Sequence, residues 1–195
     1  MDKVCAVVDA QGFILRGEFY AREAAVASEG WTNCQEFNPG FKWTDLNRKE
    51  IGTVKFCMRK IHGLYLHPYP NNKYSPVPNS NQVGNYFKSY YNLIATKEKP
   101  LFAVKNERVK NILAHNEIPF LDLNEVQYQF PSINTLERMY SNLKTCAYHL
   151  KPRFKNHVFR CAYRKCIHMW SYIKASHALN EENKVVTAQT SDWSE

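Results

Sequence analysis

Leu101–Leu123, LFAVKNERVKNILAHNEIPFLDL, decides the fold class. Leu101–Val104 is a short apolar run of the kind that forms a buried strand. Asn106–Asn116 places Val109, Ile112 and Leu113 at helical spacing, and Phe120–Leu123 is a second short strand. Strand, helix and strand within so few residues require a crossover connection, which joins parallel strands. Upstream the pattern differs. Lys3–Ala10 (KVCAVVDA) is a β-branched run that meets turn signals at Gln11-Gly12. Phe13–Leu15, Glu18–Tyr20, Glu23–Ser28 and Cys34–Phe37 follow as short strand candidates of a meander, bounded by Gly17, Gly30 and Asn38-Pro39-Gly40. The expectation is an α/β domain with an antiparallel start and parallel strands added later.

The remaining segments read as helices and one long loop. Thr44 is a candidate N-cap for a helix carrying Leu46, Ile51, Val54, Met58 and Ile61 and stopping at Gly63. Tyr65–Asn81 holds four prolines and four asparagines and is a loop. Val83–Ala95, Leu136–Leu143 and Val158–Ala178 are helices. On the last of these Phe159, Ala162, Cys166, Met169 and Ile173 form a buried stripe. Residues 1–179 form one domain, and 180–195 an acidic, disordered tail.

With 44% apolar and 14% aromatic residues, the bulk of the chain has enough apolar surface to fold. No apolar run approaches the ~20 residues of a membrane span. The start, Met1-Asp2-Lys3-Val4-Cys5, lacks the pattern of a signal peptide, so a cytoplasmic or nuclear address is expected. The net charge is +8. Glu181, Glu182, Asp192 and Glu195 against Lys184 give the last fifteen residues −3, leaving +11 on the body. An excess of that size favours an anionic partner, nucleic acid first.

Cys5, Cys34 and Cys57 sit singly in apolar segments, whereas Cys146, Cys161 and Cys166 cluster late. In a reducing compartment such a cluster suggests metal. Cys146-Ala147-Tyr148-His149 is followed after eleven residues by Cys161. A C-x2-H pair brings a thiolate and an imidazole onto one turn, and these are zinc donors. His157, four residues before Cys161, would complete a Cys2His2 set, and Cys166 and His168 are further candidates.

The segment from Cys146 to His149, with Cys161-Ala162-Tyr163-Arg164-Lys165-Cys166, resembles the end of the Maelstrom domain. That family has an RNase H-like fold, a mixed sheet flanked by helices, and one structural zinc site with a Glu-Cys-His-Cys motif. The family glutamate lies on an early strand, a place matched by Arg22-Glu23-Ala24-Ala25-Val26. The resemblance therefore implies Zn2+ held by Glu23, Cys146, His149 and Cys161, with His157 as the alternate ligand. It also implies single-stranded RNA as partner, in piRNA-type small-RNA silencing alongside other proteins of that pathway.

The four-carboxylate exonucleases of the same superfamily hold two catalytic metals. Their first motif, Asp-x-Glu, reads Asp9-Ala10-Gln11 here, and Gln11 cannot replace a carboxylate. Glu107 is too early for the second acid, and Arg138–Lys174 contains no acid at all. Two-metal catalysis is not expected. The family resemblance implies cleavage that does not need those metals, though no residue here is assigned to it. The loop between His149 and Cys161 carries Lys151, Arg153 and Lys155 beside Phe154, which suits a single strand. The competing reading is a zinc-stabilised, non-catalytic protein-interaction module with a degenerate nuclease fold.

Overall fold

The structure, a computed structural model, describes residues 1–67, 77–141 and 161–191, with side chains to residue 178. Cys146, His149, Lys151, Arg153, Phe154, Lys155 and His157 lie outside the described residues. A five-stranded mixed sheet forms the centre, in the order β3-β2-β1-β4-β5. β1 (Val4–Leu15), β2 (Glu18–Ser28) and β3 (Trp31–Glu36) make an antiparallel meander. β4 (Leu101–Val104) joins β1 in parallel, and β5 (Phe120–Asp122) joins β4 in parallel. The strand, helix and strand of Leu101–Leu123 are therefore the parallel unit expected. No described helix is long and apolar enough to cross a membrane.

Two strands are longer than their sequence signals. β1 and β2 meet at a two-residue turn, Arg16-Gly17, with φ of 55° and 85°. Positive φ at both positions is the hairpin turn whose twist matches the flanking strands. The turn signal at Gln11-Gly12 does not end β1. It marks a β-bulge: Gln11 faces Glu23 and Gly12 faces Ala21, so Arg22 has no partner on β1.

Side-chain caps set the start of three of the described helices. α1 (Arg48–Phe56) is capped by Asn47, not Thr44. Asn47 Oδ1 accepts from the Lys49 and Glu50 amides, and Glu50 Oε2 accepts from the Asn47 amide in return. Thr44 sits in a preceding 3-10 turn, and one π-helical turn, Cys57–Ile61, continues α1. α2 (Val83–Ile94) and α3 (Glu107–His115) fall where the periodicity put them. α4 (Ile133–Met139) begins three residues before the expected start, because Ser132 Oγ accepts from the Thr135 amide. α5 begins at Ala162 and runs to Ser191, past the helix end expected at Ala178.

Strand parity sorts the side chains into two layers. Ala6, Val8 and Ala10 of β1, with Ala24, Val26, Phe102 and Val104, pack against Val83 and Phe87 of α2 and Val109 and Leu113 of α3. Val7, Ala25, Ala27 and Ala103 pack on the other face against Leu136 of α4 and Ala162, Cys166, Met169 and Ile173 of α5. Beyond the bulge, Phe13 and Leu15 leave both layers and join Leu46, Val54 and Leu66 in a third cluster.

Arg22 is 2% exposed. Its guanidinium lies 2.8 Å from Glu36, itself 4% exposed, and donates to the carbonyls of Phe37, Tyr65 and His67. A buried ion pair adds little net stability, but deleting one partner strands the other charge. Arg22→Ala should therefore destabilise the fold by about 3–5 kcal/mol. Arg22→Met combined with Glu36→Leu should recover much of that loss in chemical denaturation.

Candidate functional site

The face of the sheet beneath α5 carries the polar residues of interest. Parity puts Asp9 on the same face as Val7, and Glu23 on the same face as Ala25. Both acids are buried, Asp9 at 2% exposure and Glu23 at 0%.

Asp9 is enclosed by amides and an ammonium. Its Oδ2 accepts from Gln11 Nε2 at 3.0 Å, and its Oδ1 accepts from Asn106 Nδ2 at 2.9 Å. Lys165 Nζ of α5 stands 3.4 Å from Oδ2. Asn106 also donates to the Ala10 carbonyl, while its Oδ1 accepts from the Arg108 amide and so caps α3. One side chain thus ties together β1, the end of β4 and the start of α3. Glu107 points elsewhere: it is exposed and pairs with Lys110, whose ammonium also reaches Asp122 at 2.6 Å.

A cleft of about 580 Å³ opens above Asp9, at the carboxyl end of β4. Such crevices at strand ends are where open α/β sheets take ligands. Lys105, Arg108 and Lys165 line it, with Asp9 as the sole carboxylate among the described lining residues. Lys105 Nζ lies 5.5 Å from the Phe130 ring centroid, and the Arg108 guanidinium 5.9 Å from that of Phe19. Burial draws the Lys105 ammonium below the usual lysine range, against the opposing pull of Asp122. Phe56, at the end of α1, also lines the cleft and is 57% exposed.

The second acid seats the start of α5. Glu23 Oε1 accepts from the Tyr163 amide at 3.2 Å and from the Cys34 thiol at 3.3 Å. Cys161, fully buried, has its sulfur 3.4 Å from the Arg164 amide. Of the four residues expected to bind zinc, Cys161 directly precedes α5 and Glu23 accepts from an amide of its first turn. The other two, Cys146 and His149, and the alternate His157 lie outside the described residues. Among the described residues no group of three or more His, Cys, Asp or Glu side chains is arranged to hold a metal ion.

The further candidates are core residues. Cys166 donates to the Ala25 carbonyl at 3.4 Å. Burial first, and the nearby Asp9 charge second, push its thiol well above the ordinary value. His168 is fully buried, and its Nε2 accepts from Arg164 Nε at 3.4 Å.

Sequence reasoning missed the cleft residues Lys105, Asn106 and Arg108. The available signal was Lys105-Asn106-Glu107-Arg108, cations and a helix cap directly after a buried strand. No family model, no curated protein and no solved structure matches this chain.

Burial, and then the Arg164 charge, lower the His168 pKa from 6.5 to about 4. The unfolded chain takes up that proton at its ordinary value, before the folded chain does. Stability carried by the neutral ring should thus be intact above pH 6.5 and lost as the pH falls toward about 4. Urea midpoints across that range should fall for the parent and flatten for His168→Gln.

Proposed function

We propose that this chain is a Maelstrom-like, RNase H-fold domain that binds single-stranded RNA, carries one structural zinc and does not use two-metal nuclease chemistry. The observation that carries the reading is the state of Asp9. Two catalytic metals require a concentration of carboxylates. Asp9 instead has its oxygens engaged by Gln11, Asn106 and Lys165, in a cleft whose other described charged residues are cations. A site of that charge suits a phosphate better than a divalent cation. The element order supports the fold assignment: three antiparallel strands, then parallel strands joined through a helix, with helices on both faces.

The zinc proposal keeps Glu23, Cys146, His149 and Cys161 as ligands and His157 as the alternate. The described half of that set fits the chemistry. Carboxylate and thiolate are zinc donors, and a fully buried acid such as Glu23, beside the Cys34 thiol, is where a cation offsets the cost of burial. Bound zinc would supply a structural cross-link between β2 and the start of α5. Purified protein should contain about one zinc per chain. Cys146→Ser and Cys161→Ser should each lose the metal and lower the melting temperature sharply. Metal-free protein of unchanged stability would refute the site.

For RNA, the proposed contacts are Lys151, Arg153, Phe154 and Lys155. Each phosphate neutralised on a single strand contributes about 0.7 to the log–log salt slope. Replacing the three cations with glutamine should flatten the slope by roughly 2, and Phe154→Ala should weaken binding by about 1–3 kcal/mol. Magnesium or manganese should produce no stepwise shortening of labelled strands. Protein that binds no RNA would favour the interaction-module reading.

A further inference from the structure

We propose that the cleft above Asp9 is itself a nucleotide-binding site, in which Lys105, Arg108 and Lys165 hold a phosphate of the strand and Phe56 stacks on its base. This inference rests on the RNA-binding reading and locates a contact surface apart from the loop of Lys151–Lys155.

Charge comes first. Among the described residues three cations share the cleft with one carboxylate, and that carboxylate is already committed to Lys165 and two amides. Among the described residues, Lys105 and Arg108 have aromatic rings beside them and no carboxylate in ion-pair range. Cations at the mouth of a concave site focus positive potential there, offset in part at Lys105 by the Asp122 charge. The first turn of α3, which borders the cleft, adds the positive end of a helix dipole.

Shape and apolar surface point the same way. About 580 Å³ is within the range of small-ligand sites. Phe56 and Ile14 line the cleft and are 57% and 40% exposed, although large apolar side chains are ordinarily buried. An exposed aromatic ring next to cations is the composition that takes unpaired bases, since every base offers a π-face and every linkage a phosphate. A duplex would present stacked bases whose faces are not available to the ring. The occupant is therefore a nucleotide of a single strand, bound without reading its base edges and without a divalent cation.

The test is fluorescence anisotropy of a labelled, mixed-sequence single-stranded RNA, titrated at several salt concentrations without magnesium or manganese. Phe56→Ala should weaken binding roughly tenfold at every salt concentration and leave the salt slope unchanged. Lys105→Gln with Arg108→Gln should flatten the slope by about 1.4. A duplex of the same sequence should bind more weakly than the strand. If the double variant does not fold, Phe56→Ala and Arg108→Gln, each at an accessible side chain, carry the test alone. Variants that match the parent in affinity and slope would overturn the cleft while leaving RNA binding by the loop intact. A parent that binds no single strand would overturn both readings. A mononucleotide that binds as tightly as the strand would overturn the assignment to a strand.

Discussion

The sheet turns on Gly12. A Cβ there would lie 2.0 Å from the Tyr20 carbonyl oxygen and 2.9 Å from the Ala21 Cα, so only glycine permits β2 to approach β1 at the bulge. The bulge leaves Arg22 as the extra residue of β2, and the buried guanidinium then gathers Glu36, Phe37, Tyr65 and His67 around itself. The Gly12 carbonyl is engaged as well. His62 Nε2 donates to it at 3.0 Å while Nδ1 accepts from the Leu64 amide, which assigns the neutral Nε2-protonated ring. The irregular stretch from His62 to His67 is thus tied to the sheet by one bulge, through polar contacts that the interior can support only because each is satisfied.

The same bulge separates two uses of β1. Residues before it serve the central layers, and Phe13 and Leu15 after it build a separate cluster with α1. Asp9 and Gln11 stand just before this division, next to the cleft that α1, α3 and α5 enclose. The cleft exists because β1 outruns β4: β4 ends at Val104, opposite Val8, while β1 continues to Leu15. Just past that level Asn106 reaches Asp9, while Lys105 lies over the Phe130 ring.

Two buried acids lie under α5, and their surroundings differ. Asp9 meets an ammonium and two amides, which leaves it a structural anchor for Lys165 and Asn106. Glu23 meets a thiol and one first-turn amide of a helix, whose N-terminus stabilises negative charge. The two acids of one face thus sit in different electrostatic settings.

Much of the framework was legible in the sequence. β4, α2, α3 and the strand at Phe120 follow from local periodicity and caps, and the buried stripe of Ala162, Cys166, Met169 and Ile173 follows from helical spacing. Gln11 in place of an acid already argued against two metals, and the structure adds what Gln11 does, which is to donate to Asp9. The tertiary structure alone decided the bulge, because a glycine between strand residues reads as a turn until the partner strand is known to approach it. It alone decided the pairing of Asp9 with Lys165 and the seating of Tyr163 on Glu23, since each joins an early strand to the last helix. Periodicity records which face a residue occupies, but distance between residues remote in sequence is set by how the layers close over one another.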